Sequence, residues 1–209
     1  MSSALGLIEI KSFSAALAAI DAAQKAARIE LKQIELNDLY GVCIKIIGTP
    51  ADVRAAIDAA GDIATQMHVD FISDQINAPD PNATAAWNAK IEFNPLVEQN
   101  VVNNPDPEIL KEYAVSDTAP FAIGMIETQG LTAVIEAIDT ACKAANVEIL
   151  GREKLGGGYI TVIIKGDVAA VKAAVESGKA KVEGLGKLIA AHVIPRPSAS
   201  VLSLSPKVS

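Results

Sequence analysis

Residues 122–197 read AIGMIETQGLTAVIEAIDTACKAANVEI (122–149), then EKLGGGYITVIIKGD (153–167), and close in AAHVIPRP (190–197). The chain carries this stretch twice. ALGLIEIKSFSAALAAIDAAQKAARIEL (4–31) lies over the first piece at a constant offset of 118 residues, and the register holds without a gap from Ala4 to Val53. Gly6 meets Gly124, Glu9 meets Glu127, Ile20 and Asp21 meet Ile138 and Asp139, and Lys25-Ala26-Ala27 meet Lys143-Ala144-Ala145. About 20 of the 55 pairs between 4–58 and 122–176 are identical, so the chain holds two copies of one domain. Two copies fall short of the three or more stacked units that a solenoid needs.

Each copy reads as the same order of elements. Ala4 to Ile10 is a nearly continuous apolar run and is predicted as a buried strand. From Ser12 to Ala27 the 3.6-residue period puts Phe13, Leu17, Ile20 and Ala23 on one face, with Ser12 as N-cap and Lys25 near the C-terminus, where the macrodipole favours cations. Ile29 to Leu36 alternates as a strand with one slip, which reads as a bulge. The chain reverses in Asn37-Asp38-Leu39, and Tyr40 to Ile47 runs back. Thr49 and Pro50 are the N-cap and N1 signals of a second helix, and Val69 to Ile76 is a last strand. In the second copy the corresponding elements are Ile123–Glu127, Leu131–Ala145, Val147–Glu153, Tyr159–Lys165, Val168–Glu183 and Leu188–Ile194. Strand, helix, strand, strand, helix, strand is the ferredoxin-like order. The fold class is therefore α+β, two tandem domains, each an antiparallel sheet with both helices on one face.

Composition agrees with two small domains: 209 residues, half of them apolar, with few aromatics and much alanine, so helices can sit close to a sheet. A formal charge of −7 without a cluster of Lys and Arg argues against nucleic acid. The N-terminus lacks the basic and long apolar regions of a secretory signal, and no apolar stretch reaches the 18 residues of a membrane span, which points to a cytosolic protein. Cys43 and Cys142 are not equivalent under the offset and read as reduced thiols. Two GK pairs, at Gly178-Lys179 and Gly186-Lys187, lack the spacing and the hydroxyl residue of a phosphate loop. No arrangement of nucleophile and base, or of paired carboxylates, stands out, so no enzyme activity and no cofactor is expected.

The second copy, with GMIETQGL, KAANVEI, EKLGGGY, GDVAAVKAAVE and HVIPRP in that order, closely resembles the BMC domain of bacterial microcompartment shell proteins. The first copy matches through GLIEI and KAA and more weakly at the turn and the end. Two fused copies in unpermuted order resemble the tandem class of that family. The resemblance implies a homotrimer that mimics a six-domain tile, packed beside other BMC shell proteins in a facet and passing small metabolites through a central pore. It also implies a place in the microcompartment shell of the bacterial cytoplasm. On the same basis Asn37, Asp38, Leu39, Tyr40, Leu155, Gly156, Gly157 and Gly158 line the pore, and Lys25, Arg28, Lys143, Asn146 and Arg196 lie at the edge where tiles meet. Without the family, the three glycines read first as a tight hairpin and Asp38 as an ordinary turn residue, and the two lysines, at helix C-termini, read also as solvated.

Some members of the tandem class hold an iron–sulfur cluster at the turn. Cys43 falls within a strand instead, so no cluster is expected, and His68 and His192 lack partners at metal-site spacing. Three Asp38 carboxylates near a three-fold axis would disfavour anions. The alternative is a trimeric ligand-sensing or enzymatic protein with sites between subunits on the same fold, since fold alone does not decide function. The expected boundaries are 1–81 and 119–197 for the domains, 82–118 for an inter-domain segment with short helices, of which 106–113 is one, and 198–209 for a flexible tail.

Overall fold

The computed structural model describes residues 3–37, 40–113 and 120–206. The first copy runs β1 (Ala4–Ile10), α1 (Phe13–Ala26), β2 (Glu30–Leu36), β3 (Val42–Gly48), α2 (Pro50–Gln66) and β4 (Phe71–Ile76). An inter-domain segment follows, with a 3-10 turn (Pro81–Ala83), α3 (Thr84–Trp87), β5 (Glu92–Asn94), β6 (Gln99–Asn103) and α4 (Pro107–Tyr113). The second copy is β7 (Ala122–Gln129), α5 (Leu131–Ala144), β8 (Glu148–Gly156), β9 (Tyr159–Gly166), α6 (Val168–Lys179) and β10 (Lys187–Ile194), and α7 (Ala199–Leu204) ends the described chain.

The local signals act as expected. Ser12 Oγ accepts the Ala15 N–H at the start of α1, and Thr49 Oγ1 accepts the Asp52 N–H ahead of Pro50. Both sheets have the ferredoxin-like order, β4-β1-β3-β2 and β10-β7-β9-β8. Their registers match as well. Ala4 pairs with Gly48 where Ala122 pairs with Gly166, and the bulge between Leu31 and Gln33 recurs between Ile149 and Gly151. Two sequences that keep the same one-residue slip in the same place keep every side chain beyond it on the same face.

Alternation along the central strands sends one set of side chains under the domain's own helices. Gly6 and Gly124 lie on that side, where a Cβ would stand 2.7 Å from Ile46 and 2.6 Å from Val175 respectively. Glycine there is what lets the second helix lie close to the central strand.

Three expectations need correction. The inter-domain segment contains a β-hairpin as well as helices: β5 and β6 add to the edge of β2, giving the first sheet six strands. These strands are too short to show a period, and they exist because an open edge at β2 accepts them. The helix expected over 168–183 stops at Lys179, and the chain turns through 180–186 so that Val182, 1% exposed, reaches the core. The expected flexible tail is ordered through Pro206. Helix α7 buries Val201, Leu202 and Leu204 against α1 and α4, because the VLSL pattern carries enough apolar surface to dock.

Candidate assembly surface and pore hairpins

The two copies meet through helix α1, which lies on the outer face of the second sheet, the face turned away from α5 and α6. Phe13 and Leu17, at most 1% exposed, belong to one apolar cluster with Ile123, Met125, Ile163 and Ile194. At the head of α1 sits Glu127, fully buried. Its carboxylate accepts the Ser12 hydroxyl at 2.6 Å, the Ser14 N–H at 2.9 Å and the Phe13 N–H at 3.2 Å. The first helical turn has amide protons without intrahelical partners, and this carboxylate from the other domain supplies them. Burial pushes the Glu127 carboxyl up, and the donors from Ser12, Ser14 and Phe13 oppose it without cancelling it. The sequence held one sign of this role, an acidic residue repeated at Glu9 and Glu127 inside otherwise apolar strands. Its partner lies 115 residues away and could not be read from periodicity.

At the other end of α1, Lys25 forms an ion pair with Asp21 and donates to the Arg196 carbonyl at 2.9 Å. Asp21 Oδ1 accepts the Ser198 N–H at 2.9 Å. Two of the expected edge residues, Lys25 and Arg196, thus converge although they come from different domains. Lys143 pairs with Asp139 on the exposed side of α5, and that carboxylate holds the ammonium above the usual lysine range. Arg28 and Asn146, just beyond the ends of α1 and α5, are exposed, as is Arg196.

The β2–β3 and β8–β9 hairpins are built differently. In the first, the Asn37 N–H donates to the Gly41 carbonyl at 2.7 Å and the Tyr40 N–H to the Asn37 carbonyl at 2.9 Å, with the Tyr40 side chain three-quarters exposed. Asp38 and Leu39 lie outside the described residues. In the second, Gly156, Gly157 and Gly158 have φ of 90°, 56° and 83°, a left-handed path that side chains resist. The Gly158 carbonyl accepts the Gly130 N–H at 3.0 Å, tying the turn to the start of α5. Leu155 departs from its expected place: it is 5% exposed and belongs to the cluster around α1, so it serves the contact between domains and not an opening. The Gln99 amide pairs with both backbone groups of Lys154, fastening the inter-domain segment to β8.

The Cys43 thiol, on β3, is pushed up to about 11 by burial and stays protonated. Burial also lowers His192, against the opposing pull of Asp21, which keeps the imidazole neutral near pH 7. Among the described residues, no three His, Cys, Asp or Glu side chains gather as a metal would need, and no helix is long and apolar enough to cross a membrane.

A model of the BMC domain matches residues 4–78 and 122–197. The Bacterial microcompartment shell protein PduA of Citrobacter freundii is 54% identical over 86 residues, covering 41% of this chain and 92% of that protein. The Bacterial microcompartment shell protein EutM of Salmonella typhimurium is 48% identical over 85 residues, covering 41% of this chain and 88% of its own length. The Carboxysome shell protein CsoS1 of Prochlorococcus marinus is 51% identical over 87 residues, 41% of this chain and 84% of that protein. Each of these alignments spans less than half of the chain, about the extent of one copy.

Proposed function

The chain belongs to the BMC-domain family and carries that domain twice, and from that premise we propose that three copies close into a ring of six domains, a tile of a microcompartment shell in the bacterial cytoplasm. The observation that carries this reading is the contact between the two copies. Helix α1 of one domain lies on the sheet of the other, with Lys25 and Arg196 at a single edge. A ring of six domains repeats such a contact at every junction. The role is structural, in line with the shell proteins named above.

In this reading the tile edges carry Lys25, Arg28, Lys143, Asn146 and Arg196, and neighbouring shell proteins dock there. The first copy has Ala78 where the second has Arg196, so alternate edges hold less tightly. Around the three-fold axis, Asn37, Asp38, Leu39 and Tyr40 alternate with Gly156, Gly157 and Gly158, and small metabolites pass between them. Three Asp38 carboxylates facing that opening repel one another and disfavour anions.

Sedimentation tests the ring, which is expected at three times the chain mass of 21.7 kDa. Electron microscopy of concentrated protein is expected to show flat sheets. Replacing Lys25 and Lys143 together by Ala should leave the trimer and abolish the sheets, and sheets of normal extent would remove the edge assignment. In a reconstituted shell, Asp38→Asn should raise anion flux. Unchanged flux would defeat the selectivity while leaving the tile.

A further inference from the structure

The β5–β6 hairpin lies outside both stretches that match the BMC domain, and among the described residues the second domain has no counterpart to it. Strand β6 pairs with the edge of β2, Ile34 opposite Asn103 and Glu35 opposite Val102. Carried on by two residues, that antiparallel register sets Asn100 level with Asn37, where the first pore turn begins. The β5–β6 turn, 95–98, lies further along the same line. The same hairpin also reaches the second pore turn. Gln99 donates to the Lys154 carbonyl and accepts the Lys154 N–H, two residues before Gly156. One short hairpin thus spans the necks of both turns of its chain.

Because it adds two strands to one sheet and none to the other, the hairpin stands about 10 Å beyond the β2 edge. Leu96, at its tip, is 90% exposed. Glu98 takes a φ of 58°, uncommon for a residue with a side chain, immediately before the Gln99 bonds. Its carboxylate lies 3.6 Å from the Lys154 ammonium. An ion pair this exposed adds little stability, so its consequence is for the local field. Leu36 holds the place of Lys154 in the first copy, which makes a cation at the neck a property of the second turn alone. Glu98 is the carboxylate paired with it among the described residues.

We propose that the three hairpins of the ring form a raised collar around one mouth of the pore, and that Glu98 there cancels the Lys154 charge. This rests on the ring reading above and deepens it, because the collar makes the two mouths of the tile unequal. Without the hairpin, three ammonium groups beside the glycine turns would concentrate anions at the opening and offset the charge of Asp38. With Glu98 in place that attraction is removed, and the negative charge of Asp38 stands unopposed. The collar therefore favours neutral and cationic solutes over anionic ones, through a residue that lies outside the pore turns themselves.

Two measurements test this. In a chain with Cys43→Ala and Cys142→Ala, nitroxide labels at Leu96→Cys should lie closer to one another within the trimer than labels at Lys143→Cys, read by pulsed electron resonance. The reverse order would overturn the collar. In a reconstituted shell, Glu98→Gln should raise the influx of radiolabelled lactate, relative to neutral urea, about tenfold. Adding Lys154→Gln should return it to the wild-type rate, and a double variant that stays raised would show that Glu98 does not act through Lys154. Wild-type lactate influx in the Glu98→Gln shell, beside a raised influx in the Asp38→Asn shell, would overturn the charge role of the collar alone. Wild-type influx in both would overturn both charge roles and leave the tile. A monomeric wild type on sedimentation would overturn the ring and the collar together.

Discussion

Helices α1 and α5 are each 14 residues long, follow equivalent strands and end in the same Lys-Ala, yet ten residues of α1 are buried and four of α5. Their own domains treat them alike: Ala15, Ala19 and Ala23 face the core as Ala133, Ala137 and Ala141 do. The difference comes from what lies on the outer side, a second domain, α4 and α7 in one case and open surface in the other. Duplication in one chain gives the two copies unequal surroundings, so burial in one copy marks a surface that the other still has to cover.

The largest test of that asymmetry removes the cover. A chain ending at Pro197 loses α7, re-exposes one side of α1 and takes the Ser198 N–H from Asp21, a carboxylate on a residue 7% exposed. The net cost should be roughly 4 kcal/mol once the ordering entropy of the lost segment is set against the burial. Guanidinium unfolding followed by circular dichroism would measure it, and an unchanged midpoint would mean that α7 contributes nothing to the junction. Next comes Glu127→Ala, which leaves the head of α1 without its acceptor. A loss of roughly 3 kcal/mol is expected, about 6–12 °C in thermal midpoint for a chain of this size. Glu9→Ala in dilute protein should cost nearly nothing, and equal losses at the two positions would erase the distinction between the copies.

A third comparison sets Glu35 against Glu153, which are equivalent under the offset. Glu35 is bonded to Lys45, itself 4% exposed, whereas Ile163 takes the lysine's place in the second copy and Glu153 is left 8% exposed with Oε1 unpartnered. Burial raises the Glu153 carboxyl from 4.5 to about 8, with the Gln99 amide opposing. The folded chain thus keeps a proton that the unfolded chain releases. Stability from this group is full below about pH 4.5, falls as pH rises toward 8 and levels off above. Glu153→Gln should flatten that slope, gaining roughly 4 kcal/mol on the wild type between pH 4.5 and pH 8, while Glu35→Gln should lower stability by leaving the Lys45 charge with only the neutral Gln33 as partner. Urea titrations at several pH values would distinguish the two. The smallest effect is expected at Lys143, whose Ala variant should melt with the wild type because the side chain is three-quarters exposed.

Much of this was legible beforehand, for identifiable reasons. The strand and helix order, the caps at Ser12 and Thr49 and the bulge in β2 depend on residues within a few positions of one another, where period and cap chemistry act directly. The duplication itself is a property of the sequence, and the shared sheet registers follow from it. Leu155 was misplaced because its position beside the glycines does not show which way the side chain turns, and it turns into the apolar cluster around α1. The 198–209 tail was taken as flexible because it is polar and carries Pro206, although Val201, Leu202 and Leu204 dock once α1 and α4 provide a surface.

Repetition in the amino-acid order was enough to establish two domains, their element order and the residue pairs that correspond between them, because those follow from local propensity and a constant offset. The folding of α1 onto the other copy's sheet, the capture of its amides by Glu127 and the exposure left on α5 are consequences of residues more than a hundred positions apart being brought together. No local rule carries that information, since a helix with a second apolar face is indifferent, on its own, to which surface covers it.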